Sequence, residues 1–336
     1  MFKPVRLINK VPSLDYFRFH KLCFALSIVL CLISVVSIAT RGLNYGVDFA
    51  GGILIEIRAP QAPDLARMRS ALGAMNLGDV ALQDFGGTND VLIRVERQAD
   101  GEEAEMRAVQ SIREELVKVL GPGVEYRRVE VVGPKVGGEL VRDGIWAVSL
   151  SLLGIMGYMA FRFGWRAGAA GVIAILHDCL TTVGIFSVFS NWLQFDLNVL
   201  AAVVTIAGIS INDTVVIDDR IRENSRKYKR MDFRELINLS VNQTMARTVV
   251  TNGLVFLAAF ALVAFGGPVL FGFSLAMLWG VIAGTYSTIY VAAPLEWYLS
   301  KRGKGGHGHG GDAPQETEEV AEQKPSPKKA ARVGVT

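Results

Sequence analysis

Leu22-Cys23-Phe24-Ala25-Leu26-Ser27-Ile28-Val29-Leu30-Cys31-Leu32-Ile33-Ser34-Val35-Val36-Ser37-Ile38-Ala39-Thr40 is an unbroken run without a charge, with His20 and Lys21 before it and Arg41 after it. A bilayer core about 30 Å thick needs about 20 such residues in a helix, whose backbone satisfies its own hydrogen bonds there. The stretch therefore predicts a membrane span over 22–40. Its Ser37-Ile38-Ala39 ending also suits signal-peptide cleavage, but the run is longer than a typical signal core. Comparable runs at Ile145–Phe161, Gly168–Leu193, Leu197–Ile217, Thr248–Phe265 and Val269–Leu299 bring the expectation to about six spans. The last is interrupted late by Pro294 and Glu296.

Composition agrees with this division. The chain is 51% hydrophobic yet 20% charged, so charge must be segregated from the apolar runs. A net charge of +3 gives no argument for a nucleic-acid partner. Cys23, Cys31 and Cys179 lie inside apolar runs without metal-ligand spacing and read as small core residues. Basic residues set the orientation. Lys3, Arg6, Lys10, Arg18 and Lys21 precede the first span; Arg162 and Arg166 follow the second; Arg220, Arg222, Arg226, Lys227, Lys229, Arg230 and Arg234 follow the fourth; and Lys301, Arg302 and Lys304 follow the sixth. All fall on one side, which is then cytoplasmic together with both termini.

The expected organisation is a cytoplasmic segment over 1–21, a span over 22–40, a periplasmic α+β domain over 41–144, five spans within 145–300 and a disordered cytoplasmic tail over 301–336. Within the domain, Ile53–Ile57, Val80–Phe85, Val91–Val95 and Glu125–Val132 are strand-like, and Asp64–Met75 and Glu102–Leu120 are helical in period. That order, βαββαβ, is the ferredoxin-like arrangement, a fold with many functions. The tail carries His307 and His309 in a glycine tract, where weak metal binding competes with a plain solvated reading.

Several residues do not suit a bilayer. His177 and Asp178 fall near the middle of the third span, where a charge costs about 2.5–3.5 kcal/mol, so they must face the bundle interior or water. Asp213 stands in the half of the fourth span nearer the basic side, and Arg247 at the threshold of the fifth. A carboxylate and a guanidinium at similar depth can meet and relay protons, whereas snorkelling, helix-end capping or a basic anchor would leave them without chemistry. Gly280 and Gly284 form a GxxxG that allows close helix packing. No phosphate loop, dinucleotide fingerprint or nucleophile motif is present, so no enzymatic activity and no bound cofactor are expected.

Longer motifs then carry a resemblance. Gly42-Leu43-Asn44-Tyr45-Gly46-Val47-Asp48-Phe49-Ala50-Gly51-Gly52, Val132-Gly133-Pro134-Lys135-Val136-Gly137-Gly138-Glu139-Leu140, Asn212-Asp213-Thr214-Val215-Val216, and Asp219-Arg220-Ile221-Arg222-Glu223-Asn224 are similar to signatures of the SecD/SecF family, in the resistance-nodulation-division superfamily. Ala246-Arg247-Thr248 and Gly284-Thr285-Tyr286-Ser287 complete the set, and the NDTVV and DRIREN forms resemble the SecF branch. The resemblance implies a subunit that pairs with SecD, joins SecYEG in the membrane lipid, and uses the proton motive force to draw unfolded preproteins outward. It implies proton-coupling positions at Asp213 and Arg247. Asp178 and His177 are further candidates from their depth in the span, and Gly46, Asp48, Gly51 and Gly52 suit a hinge or docking base, or equally a plain turn, because glycine allows backbone conformations closed to other residues. Asp218, Asn252 and Gly253 depart from the family pattern and leave local packing open. The alternatives are a small-molecule or lipid transporter subunit of the same superfamily, and a scaffold without ion coupling.

Overall fold

The computed structural model describes residues 14–78, 80–84, 87–98 and 101–302, apart from the side chains of 84, 102, 134–137, 268, 301 and 302. Lys3, Arg6 and Lys10, the strand end at Phe85, and the tail with Lys304, His307 and His309 lie outside the described residues.

Helix α1 (His20–Arg41) is followed by one turn, α2 (Val47–Ala50), and by strand β1 (Gly52–Arg58). Then come α3 (Leu65–Gly73), β2 (Val80–Asp84), β3 (Asp90–Val95), α4 (Glu102–Leu120) and β4 (Glu125–Val132). The four strands form one sheet in the order β2-β3-β1-β4, with every neighbouring pair antiparallel. This is the ferredoxin-like topology that the βαββαβ order predicts. Alternation decides its core: Ile53, Ile55 and Ile57 of β1 and Val91, Ile93 and Val95 of β3 point to one face, where Met68, Leu72, Ile112 and Leu116 of the two helices cover them. Asp64 caps α3 by accepting from the Ala66 and Arg67 amides.

On the sheet, Arg58 donates to both oxygens of Asp90 at 2.7 and 3.0 Å, and Arg127 adds a contact at 3.4 Å. The Arg58 guanidinium holds the Asp90 carboxyl below the usual carboxylate range. Because the folded state depresses this value, the stabilisation is full above the unfolded pKa and is lost as pH falls through the folded one. Hydrogen exchange from β1 and β3 is expected to accelerate as pH is lowered below about 4, after correction for intrinsic rates, and to lose that dependence in Asp90→Asn.

Five further long elements follow: α5 (Pro134–Phe163), α6 (Trp165–Val188), α7 (Leu197–Lys227), α8 (Phe233–Phe265) and α9 (Gly267–Ser287). The chain then widens into a π-helical turn at Thr288–Ala292 and continues as α10 (Ala293–Arg302). Among the described residues, six helical segments are long and apolar enough to cross a membrane. The sheet domain meets the bundle at the end holding the α6–α7 and α8–α9 links, here the domain end; the α5–α6 turn, the α7–α8 loop and α10 mark the basic end.

Two helices outrun the apolar stretches that announce them. Helix α7 continues past Ile217 to Lys227, and α8 begins at Phe233 instead of near Thr248. Beyond those apolar runs each keeps an apolar stripe, so Ile217 and Ile221 pack in one cluster with Leu236, Ile237 and Val241. Asp218, expected near the membrane boundary, is thereby buried. Arg247 becomes a mid-helix residue.

Candidate functional site: a polar network in the helix bundle

Helices α6, α7, α8 and α9 bring their polar residues together in the bundle. Asp178 of α6 has no exposed surface. Its Oδ2 accepts from Ser210 of α7 at 2.7 Å and from Ser287 of α9 at 2.7 Å, and its Oδ1 lies 3.0 Å from His177 Nδ1. Three elements thus converge on one carboxyl. His177 also faces the ring of Tyr286, whose hydroxyl donates to the Cys23 carbonyl and accepts from Ser27, tying α1 to the network.

Asp213, one turn further along α7 than Ser210, is 3% exposed. Its Oδ2 accepts from Asn252 of α8 at 2.5 Å, and the same amide reaches Thr285 of α9 at 2.7 Å. Asp178 and Asp213 therefore differ: the first is held by partners on three sides, the second by one amide. Arg247 lies on the exposed side of α8, and among the described residues no ion pair joins it to Asp213. On α8 the buried positions Val241, Thr244, Thr248 and Asn252 follow helical spacing, and Arg247 lies off that stripe. Asn252, a departure from the family pattern, makes the direct hydrogen bond to Asp213.

The approach of α7 and α9 depends on Gly280, where a Cβ would fall 2.2 Å from Ile206. At Gly284 a Cβ would have ordinary contact with Ser210 at 3.5 Å and with Asp178 Oδ2 at 3.7 Å. The GxxxG thus lets α9 lie against the helix that bears Ser210 and Asp213.

At the domain end, the Gly46–Gly52 segment docks on the start of α7. The Gly46 amide donates to the Phe195 carbonyl at 2.9 Å, and the Phe195 amide to the Asn44 carbonyl at 2.8 Å. A Cβ on Gly46 would come within 2.9 Å of Asp196. Asp48 accepts from the Leu197 amide and Asp196 from the Val199 amide, so two carboxylates cap the positive end of one helix. Burial pushes the Asp196 carboxyl up, and the neighbouring Asp48 charge adds to this.

Gly51 and Gly52 have φ of 75° and 121°, and a Cβ on Gly52 would lie 2.5 Å from the Val95 carbonyl oxygen. Gly52→Ala is expected to cost about 3 kcal/mol, from backbone strain plus the clash with β3. The expected readout is faster proteolysis within the sheet domain while the spans remain inserted. Between the sheet and the bundle opens a cleft of about 400 Å³, lined in part by Leu54, Leu92, Arg128, Trp192, Asp196 and Phe271.

Residues 112–302 match the family described as protein export membrane protein SecD/SecF, C-terminal, and residues 36–62 match the SecD/SecF GG motif. The chain belongs to the SecD/SecF family. It is 44% identical over 299 residues to the protein translocase subunit SecF of Rickettsia felis, covering 89% of this chain and 96% of that one. The SecF subunit of Rickettsia prowazekii is 43% identical over the same length. Among solved structures, SecDF of Thermus thermophilus, a translocon-associated membrane protein, superposes with a TM-score of 0.78 at 31% identity over 90% of this chain. SecDF in its super-membrane-facing form gives 0.66 at the same identity and coverage. This chain spans 40% of the length of each of those two.

The family match places the GG motif over Gly51 and Gly52 and the carboxy-terminal region over the polar network. Thr285 and Ser287 lie in a family signature and Asn252 departs from the pattern, but nothing in the sequence marks these or Ser210 as partners of the two carboxyls, because small polar residues are common where membrane helices pack. Only their convergence on two carboxyls distinguishes them.

Proposed function

We propose that the chain is the SecF-type accessory subunit of a bacterial protein translocase, pairing with SecD beside SecYEG and using the proton motive force to promote passage of unfolded preproteins. The observation that carries this reading is Asp213. It is a buried carboxyl held by one amide, on a helix whose opposite end is capped by Asp48 at the base of the sheet domain. Protonation there would change the packing of α7 against α8, and α7 would pass the change to the domain.

In the proposed orientation both termini and the Arg226–Arg234 loop face the cytoplasm and the sheet domain faces outward, as the basic residues favour. Asp178 reads as the anchor that keeps α6, α7 and α9 in register around the coupling residue, with His177 as its companion. The exposed face of α8 leaves Arg247 to meet a partner subunit or lipid. Gly46, Asp48, Gly51 and Gly52 serve as the docking base. No cofactor beyond the proton gradient is invoked, and the chain acts without an enzymatic step of its own.

The test is export into inverted or reconstituted vesicles with and without this chain. Stimulation should vanish when the proton gradient is collapsed with an uncoupler. Stimulation that survives collapse would identify a scaffold instead.

A further inference from the structure

The chain just ahead of α1 crosses the basic end of the bundle, and two asparagines of α8 hold its main chain there. Asn238 and Asn242 stand one turn apart on α8 and so project from one face. The Leu14 amide donates to Asn242 Oδ1 at 3.0 Å, and the Tyr16 amide donates to Asn238 Oδ1 at 3.0 Å. The Leu14 carbonyl accepts from Asn238 Nδ2 at 3.0 Å and from Asn242 Nδ2 at 2.8 Å. Asn242 thus pairs with both the N–H and the C=O of one residue, as a neighbouring strand would. The Leu14 side chain is 57% exposed and takes no part in these bonds.

A side chain pegs the strap immediately afterwards. Asp15 caps the short 3₁₀ turn Tyr16–Arg18 by accepting from the Phe17 amide at 3.1 Å. Phe17 is 3% exposed and enters the apolar cluster that Ile217 and Ile221 of α7 form with Leu236 and Ile237 of α8 and Ala293 of α10. The Arg234 guanidinium of α8 lies over its ring at 5.3 Å. His20, held by the Phe17 carbonyl and the Tyr298 hydroxyl, then fixes the entry into α1.

Along its length α1 is tied to α6 and α9: Ser27 donates to Tyr286, Ser37 pairs with Ser187, and Ser34 fills the space beside Gly184. The strap joins it to α8, the helix whose Asn252 holds Asp213. Opening the strap would leave the Asn242 amide, 4% exposed, short of its main-chain partners, and a buried polar group without partners is costly. At its far end α1 runs through Gly42, whose carbonyl accepts from Ser187, into the Asn44–Gly46 stretch that carries the sheet domain. We propose that Asn238 and Asn242 form a main-chain clamp that fastens the start of α1 to α8, so that the two helices move as one body and α1 is a second rod, beside α7, between the bundle and the sheet domain. The part of that rod in coupling rests on the function proposed above. The clamp itself does not.

Deuterium uptake resolved to single amides, on the purified full chain in lipid nanodiscs, tests the clamp without any export assay. The Leu14 and Tyr16 amides should exchange about tenfold or more slowly than in a free chain. Asn242→Ala should free the Leu14 amide and Asn238→Ala the Tyr16 amide. Asn238→Asp keeps the acceptor and loses the donor, so Tyr16 should stay slow, and Leu14→Ser should leave both amides slow because the main chain is what is held. Nitroxides at Leu22 and Val249, both exposed, with Cys23, Cys31 and Cys179 replaced by serine, should give one narrow distance that broadens in Asn238→Ala/Asn242→Ala. The proposal is overturned if the two wild-type amides exchange at the free rate, if the alanine variants leave them slow, if Leu14→Ser frees them, or if the distance distribution ignores the double variant. With the clamp established by exchange and distance, the double alanine variant should lose most gradient-stimulated export at wild-type abundance, and full stimulation would overturn the second rod. Wild-type export indifferent to the gradient would instead sink the coupling reading and leave the clamp standing.

Discussion

Asp213→Asn should reduce gradient-stimulated export to the level measured without a gradient, with the chain still assembled at wild-type abundance. The side chain keeps its size, and an amide oxygen at this position still accepts from Asn252, so the α7–α8 contact survives. What disappears is the ability to alternate between charged and neutral forms, and with it any energetic difference between two packings. A proton crossing 100 mV supplies about 2.3 kcal/mol, a bias of about fiftyfold on a two-state equilibrium. Parallel assays of uncoupler sensitivity and membrane abundance separate lost coupling from lost protein. Full stimulation by the variant would reduce Asp213 to a helix-packing residue.

Asp178→Ala should act on the fold. Removing this carboxyl leaves the Ser210 and Ser287 hydroxyls and the His177 ring without their acceptor, in a place with no exposed surface. Interhelical hydrogen bonds in membranes average about 0.6 kcal/mol and reach about 1.7, so losing the set should cost about 2–4 kcal/mol once the cavity is included. The expected result is a lower unfolding midpoint in detergent or bicelles and reduced abundance. Asp178→Asn, which retains one acceptor oxygen, should lose about half as much. The contrast is the point of the pair: one carboxyl is tied down by its partners, and the other is left free to respond.

The spans were legible because a bilayer demands long apolar runs and nothing else in the chain supplies them. The sheet domain was legible from alternation in Ile53–Ile57 and Val91–Val95, with glycines between elements. Helix ends were not, since α7 and α8 continue as amphipathic helices beyond the apolar run, and the apolar-run reading ends where Asp218 and Arg247 begin. The candidate site was legible as a set of misplaced charges but not as a set of partners. Asn252 has a longer side chain than a serine and two N–H donors, which reach both Asp213 and Thr285. Arg247 shows the converse: depth along a helix follows from counting, whereas the side on which a residue lies depends on how the whole bundle packs.

The double carboxylate cap on α7 has a mechanical consequence. Between Leu197, where Asp48 grips the helix, and Asp213 lie about 24 Å of uninterrupted α-helix, stiff over that distance. A tilt of about 5° pivoting near Asp213 would carry the Leu197 end sideways by about 2 Å, more than a hydrogen bond tolerates. The Asp48 cap must therefore either travel with the helix or break. Since Gly46 joins the same helix start through the Phe195 carbonyl, such a rotation near Asp213 would become a translation of the whole sheet, geared up by the length of the rod.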